Sequence, residues 1–332
     1  MKDDSTAVEG TPLHANAHTY RNGCRAPKRI VLLLRSWAKT CNGICNLLPK
    51  EDWWCDDRKM SGEAGYFAAQ AEALNEVARL RLIEAECDPQ TFRYLDAISV
   101  GEGWRCLEVG AGAGSVVRWL SNRVGPTGQV IAADIDPKFL LGDLCEPNVE
   151  VRRCDITCDD LEPCFYDLIH SRNLLMHLGD PADVLRRMEA ALRPGGWLLA
   201  EEPDLGVVEA VDPAHPRAAV FDSCFRKGAD FCLAAGMFDP YFAKRLPACM
   251  RTLGLVEMGN EGIARVFHGG EPWSRMWIQT WQRVNDALIA NGVLSESDAA
   301  ETRRAYEDPT FAYRAQLMQS VWGRKPRSEA SS

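Results

Sequence analysis

Several features that would assign a chain to a broad class are missing here. None of the 13 cysteines forms a Cys-x-x-Cys pair, and the nearest groupings, Cys41/Cys45 and Cys154/Cys158/Cys164, have no familiar zinc spacing. The cysteines are spread over all 332 residues instead of framing a small disulfide scaffold, so they read as free thiols. Long apolar runs are absent too: the longest aliphatic stretch is Ile30 to Leu34, too short to span a bilayer. Basic residues do not dominate. There are 38 Lys and Arg against 47 Asp and Glu, for a net charge of −9, so the broad basic surface used on nucleic acid is not indicated. No apolar core of a secretory signal follows the opening Met-Lys-Asp-Asp, which makes the cytoplasm the expected compartment. What remains is an ordinary globular composition, 46% hydrophobic and 26% charged, with enough chain for one large domain or two.

Organisation changes along the chain. Residues 1–60 read as a poorly ordered extension: the first twenty are polar, and 21–50 carry seven Lys and Arg and no acid. From Ser61, a helix cap, Phe67, Ala71, Leu74 and Ala78 share one helical face. The Asp88-Pro89 pair predicts a break, then a second short helix to about Ile98. Strands and helices then alternate. Strands are expected over Trp104–Val109, Gln129–Ala133, Asn148–Arg153, Tyr166–Ser171 and from Trp197 to Ala200, with helices over Ser115–Arg123 and Ala182–Leu192. Such alternation predicts a doubly wound α/β fold with a largely parallel sheet. Beyond Glu202 the alternation stops. Residues 203–260 read as a helical cover, followed by a strand over Gly262–His268, a helix carrying Trp277, Trp281, Val284 and Leu288, and a last strand over Ala315–Trp322. The folded domain is expected to cover 61–326, with its core in 104–203 and a short tail over 327–332.

The sharpest local signal is Leu107-Glu108-Val109-Gly110-Ala111-Gly112-Ala113-Gly114-Ser115, placed where the first strand turns into a helix. Glycines there let a ligand approach the backbone, and the helix start offers free N–H groups. The spacing is G-x-G-x-G and not the G-x-G-x-x-G of a dinucleotide site. Glu108, two residues before the first glycine, would repel a pyrophosphate and suits a ligand carrying an ammonium and a sulfonium. Asp134, at the end of the second strand, is placed to accept hydrogen bonds from both hydroxyls of a ribose.

These motifs resemble those of the class I S-adenosylmethionine-dependent methyltransferases, in particular the small-molecule branch that includes the ubiquinone and menaquinone C-methyltransferases. The resemblance covers about residues 62–326 and is strongest over 104–203. It is carried by the glycine turn, by Val130 to Asp136, by Cys154-Asp155-Ile156, by Tyr166 to Arg172, by Leu175 to Leu178 and by Leu192 to Gly196, in that order. It implies a Rossmann-like, seven-stranded sheet with the last strand antiparallel. It implies S-adenosyl-L-methionine as cofactor, with Glu108, Gly110, Gly112, Gly114, Asp134, Ile135, Asp155, Ile156, Arg172 and Asn173 around it, Asp155 meeting the adenine amino group. The activity implied is transfer of a methyl group to a small-molecule acceptor.

The acceptor side is less determined. His170 and His177 are the candidate bases, His170 the first choice because it ends the fourth strand; the alternative for His170 is a packed, hydrogen-bonded or cofactor-lining histidine, and for His177 a structural one. Glu201 and Glu202 end the fifth strand with Asp204 nearby, either facing a cationic or hydroxyl-bearing substrate or serving as solvated or capping residues, without a pattern that calls for a metal. Tyr66 is a candidate lid residue. Phe221, Phe225, Phe231, Phe238, Tyr241 and Phe242 are either pocket or core, and Trp277 and Trp281 read as core. An RNA or protein methyltransferase and a non-catalytic S-adenosylmethionine-binding protein are the alternatives. A nicotinamide-dependent oxidoreductase fits the glycine spacing poorly.

Overall fold

A computed structural model of the chain describes residues 63–141 and 144–327, with side chains from residue 75. The expectations for 1–60, Ser61 and the end of the tail lie outside the described residues, and those for Tyr66 and for the face from Phe67 to Leu74 fall on side chains outside the described ones. The first described element is a long helix, α1 (Glu63–Ala97), followed by β1 (Arg105–Val109), α2 (Ser115–Val124), β2 (Gln129–Asp134), β3 (Val149–Arg153) and β4 (Tyr166–Arg172). Next come α3 (Pro181–Ala191), β5 (Leu192–Asp204), β6 (Glu209–Ala210), α4 (Ala218–Ala234), α5 (Leu246–Arg251) and β7 (Val256–His268). The order ends with α6 (Pro272–Ala290), α7 (Glu296–Glu307) and β8 (Ala312–Arg324).

The long strands lie side by side as β3-β2-β1-β4-β5-β8-β7. The first five run parallel, and β8 is antiparallel to its neighbours. Strands β1, β2 and β4 are nearly continuous buried runs because helices cover both faces of the sheet. Alternation sorts their side chains. Cys106, Val130, Leu168 and Leu199 pack toward Tyr94 and Leu95 of α1 and Val117 and Leu120 of α2. Leu107, Ile131, Ile169 and Leu198 pack toward Leu185 and Met188 of α3 and Leu246 and Met250 of α5.

The structure corrects three sequence expectations. The sheet has eight strands instead of seven. β5 pairs with β8 only as far as Asp204 opposite Leu317, which leaves Tyr313 and Arg314 free to take the two-residue β6. The Asp88-Pro89 pair does not break α1, which runs on through Pro89. Asp88 and Thr91 on either side of the proline are both tied to Arg172, which holds the two halves on one axis. Lastly, Leu192 to Gly196 belongs to β5 instead of separating it from α3. The register slips between Tyr166 and Leu168, as in a β-bulge, and Gly196 is the residue that fits the slip. A Cβ at Gly196 would lie 2.7 Å from the Tyr166 carbonyl oxygen. Replacing Gly196 with Ala is therefore expected to lower stability by about 1–3 kcal/mol in urea unfolding. An unchanged midpoint would contradict the bulge assignment.

Candidate active site

Glycine holds open the turn between β1 and α2. Gly110, Gly112 and Gly114 have φ values of 74°, 58° and 88°, a region in which side chains are strained. A Cβ on Gly112 would meet only the Gly110 carbonyl, at 3.9 Å, and would otherwise project into a cavity of about 350 Å³. Glu108, Gly110, Gly112, Asp134 and Ile135 line one end of this cavity, together with Asp155, Ile156, Arg172 and Asn173. Gly114 does not line it. That residue caps α2, and a Cβ there would press on Leu140 Cδ2 at 3.2 Å.

Local structure fixes each of these residues. Asp134 accepts from the backbone N–H of Gly112 at 3.3 Å and of Asp136 at 2.9 Å, one on each carboxylate oxygen. Burial outweighs these bonds and raises its pKa. Asp155 Oδ1 accepts from the Thr157 backbone N–H at 3.0 Å and its hydroxyl at 2.6 Å. Asn173 sits at φ 55° and donates its N–H to the Glu201 carbonyl at 2.9 Å, a left-handed turn that Asn tolerates.

Behind this wall lies a chain of buried charge. Glu108, His170 and Leu199 are opposite one another on β1, β4 and β5, and Arg172 is opposite Glu201. His170 Nδ1 lies 2.6 Å from Glu108 Oε2, and Nε2 lies 3.1 Å from Glu201 Oε1. Burial pushes the Glu108 carboxyl up, against the pull of His170 and Arg172. An imidazolium, with a proton on each nitrogen, satisfies both carboxylates as donor. Burial depresses the imidazolium, but the two carboxylates override it and bring its pKa to about 9. Glu201 is pushed up by burial and brought lower overall by His170, Arg172 and Ser320. Its remaining partners are the hydroxyls of Thr91 and Ser320, both at 2.6 Å. Arg172 donates to Thr91 at 2.7 Å and to Asp88 at 2.9 Å, and Asp88 also accepts from the Ser115 hydroxyl at 2.9 Å. Glu84 accepts from the Ser115 N–H at 3.0 Å. Strand ends, α1 and the start of α2 are thereby joined in one polar network.

His170 is therefore not placed as a base facing an acceptor. It is fully buried, both ring nitrogens are engaged, and it does not line the cavity. Glu201 and Glu202 are likewise turned inward. Glu202 accepts from the N–H groups of Leu174, Leu175 and Met176 at 2.9, 2.7 and 3.1 Å, holding the turn after β4, and burial lifts its pKa to about 7. Asp204 caps the following turn through the Gly206 N–H at 2.9 Å. His177 does line the cavity. Burial, with help from Arg79, lowers its pKa to about 4, so the ring is neutral.

The rest of the lining is mostly apolar and aromatic, with the paired Glu76, Arg79 and Arg283 on it. Phe225 and Phe238 belong to it, whereas Phe221 and Phe242 are packed in the core and Phe231 and Tyr241 stay outside. Trp273, Trp277 and Trp281 form a wall, and α1 adds Glu76, Arg79, Leu80 and Ile83. The four-residue spacing of the tryptophans was visible, but a core face and a pocket wall give the same pattern. Among the described residues no group of three or more His, Cys, Asp or Glu side chains is placed to hold a metal, and no helix is long and apolar enough to cross a membrane.

The imidazolium has a pH signature. Its folded pKa lies above the unfolded value of 6.5, so its stabilisation is complete below about pH 6.5 and is lost as pH rises through 9. The wild-type chain is expected to lose about 3 kcal/mol across that window, and a His170→Gln variant is expected to be less stable at pH 6.5 and flatter above it. His177, whose pKa is depressed, acts below pH 6.5, and Glu202, raised to about 7, contributes to both proteins and drops out of the difference. Parallel stability curves for the two proteins between pH 6.5 and 9 would contradict the charge assignment.

Comparison with known proteins agrees with this geometry. Residues 107–198 match a family model described as a methyltransferase domain. Methyltransferase str2 of Strobilurus tenacellus is 32% identical over 160 residues, covering 46% of this chain and 53% of that protein. The ubiquinone/menaquinone biosynthesis C-methyltransferase of Pseudomonas savastanoi pv. phaseolicola is 35% identical over 115 residues, 32% of this chain and 45% of that protein. The chain thus spans about half the length of these curated relatives. Among solved structures, phosphoethanolamine N-methyltransferase 2 of Haemonchus contortus aligns with 72% of this chain and 53% of its own, at 16% identity and a TM-score of 0.47. The glycine turn, Asp134, the parallel strands β2 and β4 and most of β1 all lie within the segment 107–198 that matches the methyltransferase-domain model.

Proposed function

We propose that the chain transfers the methyl group of S-adenosyl-L-methionine to a small-molecule acceptor by direct in-line displacement. One observation carries the reading: a single cavity joins the glycine turn, Asp134 and Asp155 to a mostly apolar, aromatic-walled end. The residues fit the cofactor. Open space at Gly112 leaves room for it against the backbone, and Asp134 keeps acceptor capacity on both oxygens beyond its two backbone donors. Asp134 would hold the ribose hydroxyls and Asp155 the adenine amino group, with Ile135 and Ile156 against the base. Glu108 would face the ammonium, and the main chain at Arg172 and Asn173 would complete the wall.

When bound, the cofactor supplies an electrophilic methyl on a sulfonium. The chain's own task is to hold the acceptor atom in line with it, about 3–3.5 Å away, and to keep water out. The mostly apolar end of the cavity serves exclusion. His170 is a positioning residue: it fixes the Glu108 carboxylate from behind. His177 lines the cavity, but burial and Arg79 disfavour its protonated form, so its ring serves as a neutral hydrogen-bonding group and not as the base. Gly112→Val should fill the cofactor end and Asp134→Ala should remove the ribose acceptor. Each is expected to weaken S-adenosylhomocysteine binding at least 100-fold by calorimetry, with the circular dichroism spectrum retained. Wild-type affinity in both variants would overturn the site assignment.

A further inference from the structure

Glu202 lies near the end of β5, fully buried, and does not line the cavity. It nevertheless holds a piece of the cavity wall. The segment after β4 forms a short 3-10 turn, Leu175–His177, whose own hydrogen bonds begin only at His177. The N–H groups of Leu174, Leu175 and Met176 therefore have no partner within the turn, as at the start of any helix. One carboxylate takes all three. Its Oε1 accepts from Leu174 at 2.9 Å and Leu175 at 2.7 Å, and its Oε2 accepts from Met176 at 3.1 Å. A carboxylate is acceptor on both oxygens, whereas the amide of a glutamine would turn a donor toward one of these N–H groups.

The clasped turn touches both parts of the cavity. Leu174, Met176, His177 and Leu178 all line it. Toward the cofactor end, Leu174 lies against the glycine turn, where a Cβ on Gly110 would meet Leu174 Cδ1 at 3.3 Å. Toward the aromatic end, the Met176 carbonyl accepts from the Asp239 N–H at 2.8 Å. The His177 ring packs edge-on to Phe238 at 5.5 Å, and Phe238 is itself on the wall. Asp239 continues the link into the helical cover, accepting from the Tyr241 N–H at 2.9 Å and pairing with Arg245. A side chain out of reach of any ligand thus connects the glycine turn to the cover.

We propose that Glu202 is a positioning residue for methyl transfer: through three backbone N–H groups it holds Leu174 against the glycine turn and His177 against Phe238, so that the two parts of the cavity keep their shape together. The inference rests on the methyl-transfer reading and adds to it a residue that touches neither cofactor nor acceptor. The test compares the full chain with its Glu202→Gln variant. At about pH 8, where the native carboxylate is ionised, the folded variant is expected to bind S-adenosylhomocysteine about 10-fold more weakly by calorimetry. Nitrogen-15 spectra of labelled histidine supply a second readout, recorded between about pH 5.5 and 7.5. His177 of the parent chain is expected to stay neutral throughout, and in the variant its midpoint should move up from about 4 toward 6.5 as the ring loosens. A purely structural role would lower stability and move neither readout, so parental affinity or parental His177 titration in a folded variant would overturn the proposal. Where the variant fails to fold, amide hydrogen exchange on the parent chain decides. Exchange at Leu174, Leu175 and Met176 is expected to slow at least 10-fold on binding S-adenosylhomocysteine, and unchanged exchange would overturn the proposal. Failure of the parent chain to bind S-adenosylhomocysteine is a separate result that sinks the methyl-transfer reading, and the His177 titration then tests the clasp alone.

Discussion

A single protonated imidazole on β4 holds two buried carboxylates, one from β1 and one from β5, and the cleft depends on it. Without His170, Glu108 and Glu201 would face each other in the sheet interior with little to offset their desolvation. Removing one partner of such a buried arrangement costs on the order of 3–5 kcal/mol, because the remaining charge stays out of water. The arrangement also gives direction. Glu108 reaches the cavity from a fixed position, while Glu201 passes the constraint outward to Thr91 on α1 and Ser320 on β8. The strands, the N-terminal helix and the antiparallel strand thus meet through one set of hydrogen bonds directly beneath the glycine turn.

α1 is consequently more than a cover. Its Asp88 and Glu84 satisfy the hydroxyl and N–H of Ser115 at the start of α2, and Asp88 also receives Arg172 from the end of β4. These contacts close one side of the cavity with a helix and not a loop. On the other side, α4 and α6 face each other with small residues, Gly228 and Ala229, against large rings. A gap between helices left by small side chains is a common way to make a pocket without loosening the core, and the aromatic cluster of Phe221, Tyr306, Phe311 and Tyr313 behind it remains fully packed.

The parts of this arrangement set by local sequence were readable beforehand. The glycine turn, the ends of β1, β2 and β4, and the helices α2 and α3 follow from short-range pattern and turn chemistry, and they place Gly112, Asp134 and Asp155 at the cavity. The rest depends on register and packing between distant segments. Nothing near His170 in the chain shows that Glu108 lies opposite it across the sheet, so the sequence left open a base or a packed, hydrogen-bonded histidine, and the structure places it between two carboxylates. For Glu201 and Glu202 the sequence left substrate contact and capping both open, and the structure shows Glu201 held by Thr91 and Ser320 and Glu202 capping the turn after β4. Pro89 looked like a helix break because the ties from Arg172 to both flanking residues come from far along the chain. The tryptophans of α6 read as core because Gly228, which leaves the space in front of them, is on another helix.

The claim at the centre is that His170 is an imidazolium clamp between two carboxylates and not a base open to substrate. Nitrogen-15 spectra of the chain with labelled histidine, recorded across pH with and without S-adenosylhomocysteine, test it most directly. Both ring nitrogens of His170 are expected to remain protonated through neutrality and to titrate only near pH 9, in either state. A His170 ring that is neutral at pH 7, or one that titrates freely near 6.5 and responds as a solvent-facing group, would contradict the account.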